Sequence, residues 1–413
     1  MSTDSKTLRG ASGQKSTRHG GPLAALAARW AFKVAGGLEA GTLSVTLPNG
    51  DSRTFSGHLE GPVAAVTIYQ WRGLWRMMLG GDVGFAEGYI AEEWHTDDLT
   101  ALLELAAINN ESLESKVEGT FLVRAIDRVR HLMRPNTKKG SKRNISEHYD
   151  LGNGFYREWL DPTMTYSSAL YDCPNDPLEV AQLRKYKRIA EQLTPGPDSH
   201  LLEIGCGWGG FATYAAREYG CKVTGITLSQ EQHDFARERA FNEGLADKID
   251  IRLQDYRDVQ GTYDGIASIE MFEAVGERNW PQFFSTVAER LKPDAHAALQ
   301  VITIEESRYH GYRKSADFIQ RYVFPGGMLP SPSVFRSHAE GSGLALHDTH
   351  FFGLSYAKTL AEWQGRFTEA WPMIERHGFD QTFRRIWDYY LAYCRAGFQT
   401  GGIDVGHFLL KRA

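Results

Sequence analysis

One stretch constrains the fold more than any other: LLEIGCGWGGFATYAAREYGCKVTGITLSQEQ, from Leu201 to Gln232. Its apolar opening, Leu201, Leu202 and Ile204, halts at Gly205-Cys206-Gly207-Trp208-Gly209-Gly210. Phe211 to Tyr219 then carries helical spacing, and Cys221 to Leu228 is again strand-like. A strand that turns into a helix through glycines leaves backbone N–H groups open to close approach. The helix N-terminus favours negative groups there. This is the pattern of a nucleotide-cofactor site. Gly205, Gly207 and Gly210 also satisfy the dinucleotide fingerprint. The acidic residue expected about 20 positions on falls instead near Thr227. That weakens a nicotinamide reading, and Glu203 with the further glycine, Gly209, leans towards S-adenosylmethionine (SAM); a purely structural loop remains the third alternative.

A chain of 413 residues exceeds one ordinary core and predicts about two or three domains. With 46 basic against 51 acidic residues, nothing in the balance demands nucleic acid. Cys173, Cys206, Cys221 and Cys394 lack metal spacing and are too sparse for a disulfide framework. A reducing, cytoplasmic setting follows. No run approaches the length of a membrane span. Residues 1–21, rich in Ser, Thr, Gly and basic side chains, read as a disordered tail, with a transit peptide as the weaker alternative.

Residues 22–119 read as a small α+β domain. An Ala-rich helix from Pro22 to about Gly36 precedes period-two segments over 41–70, broken by the Pro48-Asn49-Gly50-Asp51 turn, and 71–107 returns to helical spacing. Glu87, Glu92 and Glu93 are expected on a solvated face. Residues 120–143 form a basic amphipathic linker in which Arg124, Arg128, Arg130, Arg134, Lys138, Lys139, Lys142 and Arg143 face Asp127 alone. Such a segment suits an anionic membrane surface or a solvated bridge. From 144 to 413 strands and helices alternate, which predicts an α/β domain with a parallel sheet and its ligand at the carboxyl ends of the strands.

The run HYDLGNGFYREWLDPTMTYSSALY, then LLEIGCGWGG, GITLSQEQ, SIEMFEAVGE and FIQRYVFPGGMLPS, resembles the cyclopropane-fatty-acyl-phospholipid synthase family. Members are class I SAM-dependent methyltransferases that act on unsaturated acyl chains. The resemblance implies a Rossmann-like sheet with helices on both faces, preceded by the small α+β domain of the phospholipid-using members. It also implies a methyl or methylene transfer to a cis double bond, giving a cyclopropane or a methyl- or methylene-branched chain. A small amine or other polar acceptor on the same fold is the alternative. The partners it implies are membrane phospholipid, met peripherally on the inner membrane face, and a second copy of the chain in a homodimer.

Carried over position by position, the cofactor contacts implied are Tyr166, Ser167, Glu203, Gly205, Gly207, Gly209, Thr227, Gln232, Asp255, Tyr256 and Ile269. The family also holds a bicarbonate ion with Cys, Glu, His, Ile and Tyr. Here Glu273, Ile304 and Tyr356 match, but the Cys position is Ser168 and the His position is Ile302. Ser168 can still donate through its hydroxyl, whereas the Ile302 side chain cannot, so an anion would be held more weakly or not at all. Glu273, Tyr356 and Ser168 are the catalytic residues expected, with Glu273 acting through bicarbonate or directly as base. Tyr166, Tyr322, Phe324 and Tyr356 are the aromatic faces expected to steady a cation.

Overall fold

The computed structural model describes residues 21–114, 151–314 and 316–412. The tail before Gly21 and the basic linker lie outside the described residues, as does the run up to Asp150. The first unit holds α1 (Pro22–Ala35), β1 (Ala40–Thr46), β2 (Ser52–Ser56), β3 (Leu59–Ile68), α2 (Trp71–Ile90), β4 (Trp94–His95), α3 (Leu99–Ile108) and α4 (Asn110–Glu114). Its sheet runs β2-β1-β3-β4. The Pro-Asn-Gly-Asp turn closes an antiparallel β1–β2 hairpin whose Thr and Ser hydroxyls pair across the strands, as at Ser44–Thr54, 2.8 Å. Asp98 caps α3 by accepting the Ala101 N–H at 2.8 Å.

One expectation fails here. Glu93 is fully buried, its carboxylate gripped by Arg72 at 2.5 Å and Arg76 at 3.0 Å. Glu87 is half-buried and pairs with Arg76 and Arg321, both at 3.1 Å. Of the three carboxylates only Glu92 is exposed, and it reaches Arg385 at 3.8 Å.

The second unit holds α5 (Asn153–Arg157), α6 (Leu178–Leu193), β5 (His200–Ile204), α7 (Gly210–Tyr219), β6 (Lys222–Thr227), α8 (Gln230–Asn242), β7 (Ile249–Leu253) and β8 (Tyr263–Ile269). It continues with α9 (Trp280–Arg290), β9 (Leu291–Ile304), α10 (Glu306–Tyr312), a π-helical turn (Ile319–Val323), α11 (Pro332–Gly341), β10 (Leu344–Phe351), α12 (Gly353–Arg376), α13 (Gln381–Gln399) and β11 (Ile403–Arg412). The sheet order is β10-β11-β9-β8-β5-β6-β7. Strands β5 to β9 are parallel; β11 and β10 are antiparallel additions, so the sheet is mixed rather than wholly parallel. From β5 the chain winds outward to β6 and β7, then returns to β8 on the other side. That reversal opens a crevice at the carboxyl end of β5, where an open α/β sheet places its ligand. Apolar clusters cover the two faces of the sheet.

A third, aromatic-rich cluster joins the two units. It takes in Trp94, Leu102 and Leu105 from the first and Trp159, Trp363, Trp387 and Tyr389 from the second. Helix α13 packs against α2 and α3. Arg385 donates to the Tyr89 carbonyl at 2.7 Å, and Tyr322 donates to Glu87 at 2.7 Å. No helix among the described residues is long and apolar enough to cross a membrane.

Candidate active site

The glycine turn after β5 forms one side of a cleft. Gly205 sits at φ +83°, and a Cβ there would lie 2.7 Å from the Met271 side chain. Lining the same cleft are Tyr166, Ser167, Glu203, Gly207, Thr227, Gln232, Gln254, Tyr256 and Ile269. Thr227 donates to Gln232 at 2.8 Å, and the Ser229 hydroxyl caps α8, so the two side chains are fixed as a pair. Two expected contacts lie elsewhere. Gly209, at φ +80°, backs onto Ala236 of α8, where a Cβ would come within 3.0 Å. Asp255 is spent on Arg257, which it meets at 2.6 Å. Its role is to fix the turn that carries Tyr256.

Glu203 is buried, and one of its carboxylate oxygens has no partner. Burial pushes its pKa well above the carboxylate range, against the pull of the Ala212 N–H and of Lys185. An unpartnered acceptor, a glycine cradle and a fixed Thr–Gln pair together fit a cofactor with cationic and hydroxyl-bearing parts, as SAM has.

A second cavity, of about 1070 Å³, adjoins this cleft. Tyr166, Glu270 and Ala274 line both. Its inner end is built by Glu273, Ile302, Ile304, Phe324, Tyr356 and Leu360, and its outer wall by Val34, Leu43, Leu74, Met77, Leu102 and Leu105 of the first unit. Tyr166 is held there by the Tyr390 hydroxyl at 2.8 Å and by the Trp363 ring, centroids 5.3 Å apart. Tyr322 does not take part: it is exposed at the seam between the units, on Glu87.

The junction is organised around a residue that the motif reading passed over. Glu270, at the end of β8, accepts the Tyr356 hydroxyl at 2.6 Å on one oxygen. Its other oxygen accepts the Ser168 N–H at 2.8 Å and the Gln300 amide at 2.7 Å. Gln300 is itself oriented, its carbonyl bonded to His407 at 2.9 Å. Beneath lies Lys185, fully buried, donating to the Ser167 hydroxyl at 2.7 Å. Burial lowers its pKa to about 7, while Glu270, Asp161 and Glu203 pull it back up. Burial leaves the Glu270 pKa above the usual carboxylate value, although Tyr356, Lys185, Ser168 and Gln300 pull it back down. Three donors on one carboxyl group select its ionised form.

Glu273 differs. One oxygen accepts the Ile302 N–H at 2.6 Å; the other is buried without a partner. Burial, and secondarily the charge of Glu270, push it up to about 8. It is therefore mainly a neutral acid near pH 7.

The bicarbonate site implied by resemblance does not assemble. The Ser168 hydroxyl turns onto the Ala169 carbonyl at 2.9 Å, and the residue presents its N–H to Glu270 instead. Tyr356 is likewise bonded to Glu270 and the Ile302 N–H to Glu273. Two carboxyl groups already occupy these donors, so the residues present do not fit a further anion.

A signal for Lys185 existed. Gln182, Lys185, Tyr186 and Ile189 recur at helical spacing and are all buried. Glu270 gave less: it stands three positions before Glu273 in SIEMFEAVGE, and its φ of +50° is invisible in sequence.

Known proteins agree with this architecture. The profile of the family described as mycolic acid cyclopropane synthetase matches residues 136–408. This chain belongs to that family. It is 37% identical over 351 residues to the tuberculostearic acid methyltransferase UfaA1 of Mycobacterium tuberculosis, covering 80% of this chain and 79% of that protein. It is 35% identical over 337 residues to the cyclopropane-fatty-acyl-phospholipid synthase of Escherichia coli K12, covering 82% and 85% respectively. A solved structure of the mycolic acid cyclopropane synthase CmaA1, complexed with SAH and CTAB, superposes with a TM-score of 0.62 at 28% identity. It covers 68% of this chain and 99% of that one. The chain is thus a SAM-dependent methyltransferase of the cyclopropane-synthase type.

Proposed function

We propose that the chain methylates the cis double bond of an unsaturated phospholipid acyl chain, yielding a cyclopropane or a methyl- or methylene-branched product. The observation that carries this reading is the 1070 Å³ cavity meeting the glycine-turn cleft at Tyr166, Glu270 and Ala274. A cavity of that size, walled by Val34, Leu74, Met77, Leu102 and Leu105, suits a long hydrocarbon; a small amine would meet instead the carboxyl groups of Asp82, Glu270, Glu273 and Asp317, which also line it. Each buried methylene contributes about 0.8 kcal/mol, enough to seat an acyl chain without a charged anchor.

Bound SAM supplies an electrophilic methyl group. Ser167, Glu203, Gly205, Gly207, Thr227, Gln232, Tyr256 and Ile269 would hold it; this chain's part beyond that is alignment, water exclusion and proton removal. Tyr166, Phe324 and Tyr356 surround the junction, and an aromatic face steadies a neighbouring cation by about 0.5–2 kcal/mol. Their bulk also excludes water that would quench it.

Exposed Leu23, Leu26, Leu59, Val63 and Leu79 on the first unit, with Leu79 also lining the cavity, support peripheral membrane contact. The test is mass spectrometry of total fatty acids from a host expressing the protein and fed CD3-methionine. Acyl chains carrying CD3 mark methyl branching, and chains carrying CD2 mark ring or methylene formation. An unlabelled acyl fraction would refute the reading.

A further inference from the structure

We infer that Glu270 is the proton-accepting base of the reaction, a carboxylate built into the chain where an external anion would otherwise be needed. The inference rests on the acyl-chain reading above and goes beyond it.

Position is the first argument. Glu270 lines both the cleft and the apolar cavity, whereas Glu273 lines the cavity alone. Tyr166, Glu270 and Ala274 line both chambers, and Glu270 is the one of the three that carries a carboxyl group to receive a proton.

The way the group is held is the second. Its two oxygens receive Tyr356, Ser168 N–H and Gln300, which leaves one lone-pair site open on the ionised group. The Gln300 amide cannot turn round, because His407 bonds its carbonyl while its nitrogen also reaches the Ser168 carbonyl at 3.3 Å. The backbone at Glu270 is left-handed, φ +50°, an unfavourable conformation for a residue with a side chain. Strain and a four-residue scaffold together hold this carboxylate at the junction. Glu273, by contrast, has a single backbone donor and an oxygen without a partner, the environment of a neutral acid.

The step balances without a co-reactant. The double bond gives its π pair to the methyl carbon, the C–S pair departs with S-adenosylhomocysteine, and the adjoining chain carbon becomes a cation. A C–H bond beside the cation then yields its proton to Glu270. The electron pair left behind becomes the closing bond of the ring or a new double bond. Glu270, now a carboxylic acid, returns the proton to water as the product leaves.

The experiment uses the purified full chain, vesicles of unsaturated phospholipid and decarbonated buffer. Wild-type turnover should change less than twofold when bicarbonate is added. E270G suits the left-handed backbone, and E270Q keeps the volume. Both should lose about 100-fold or more in turnover, the usual worth of a general base. SAM affinity, read by calorimetry, should stay within threefold. Added formate should restore E270G, which has vacated the space, and leave E270Q inert.

A readout independent of turnover comes from infrared difference spectra of the ligand-free protein at pH 7. Wild type minus E270Q should show a carboxylate stretch, and wild type minus E273Q the carbonyl stretch of a protonated acid. A tenfold loss of wild-type activity in decarbonated buffer, turnover within threefold in either Glu270 variant, or a protonated Glu270 would each overturn the inference. If wild type labels no acyl chain, the substrate reading falls instead, while the spectra still decide the state of Glu270.

Discussion

Replacing Glu273 by glutamine should stabilise the protein, and increasingly so as the pH rises. In the fold this carboxyl is raised from 4.5 to about 8, by burial first and by the charge of Glu270 second. The folded state therefore keeps a proton that the unfolded chain has lost throughout that window. Its stabilising share is full below about pH 4.5 and is lost as the pH climbs through 8. A shift of this size corresponds to at most about 5 kcal/mol. Glu273 faces the cavity rather than solid packing, and water there lowers the penalty, so about 2–4 kcal/mol is expected at the plateau. Glutamine has the same shape, can accept the Ile302 N–H through its carbonyl, and carries no charge to desolvate. The assay is the urea midpoint of E273Q minus that of wild type, measured from about pH 5 to about pH 9. The gap should open across that range and flatten above pH 8. A gap that stays constant, or one that closes with rising pH, would refute the claim that Glu273 is a neutral acid in the fold.

Three further outcomes follow from the packing and the site. Glu93→Ala removes the buried carboxylate that pins Arg72 and Arg76, whose partly exposed guanidiniums can turn to water, and should cost about 1–3 kcal/mol in denaturant unfolding. Gly205→Ala forces a Cβ at φ +83° towards Met271, and should weaken SAM binding measured by calorimetry by about tenfold or more, since left-handed strain alone costs roughly 1–2 kcal/mol. Val34→Trp fills the cavity wall contributed by the first unit, and should lower kcat/KM for long acyl chains by about tenfold while leaving SAM affinity unchanged.

The parts of this protein set by local rules were legible in its sequence. The alternation of strands and helices read after 144 matches the second unit, and the glycine turn sits where apolar spacing placed it, between β5 and α7. Periodicity reports which face of an element is dry, and the sheet follows from that. What escaped depends on partners brought from elsewhere. Glu93 looks solvated until Arg72 and Arg76 close on it, and Lys185 reads as one more charge in RKYKR until the sheet covers it. Motif matching placed Glu273 and Tyr356 at the site but gave the wrong neighbour to Tyr356, because the Glu270 side chain is aimed by a backbone twist that no residue spacing encodes. Ser168 turns its hydroxyl onto the Ala169 carbonyl and acts through its N–H, a contact that no side-chain motif reveals.

The central claim is that the cofactor cleft and the acyl cavity meet at one junction, so that methyl transfer falls on a hydrocarbon chain. The most direct measurement incubates the purified chain with CD3-labelled SAM, unsaturated phospholipid vesicles and a mixture of small amines, then separates the lipid and aqueous fractions. Label in the acyl chains of intact phospholipid, within the part that held the double bond, is the predicted result. Label confined to the aqueous amines would contradict the account.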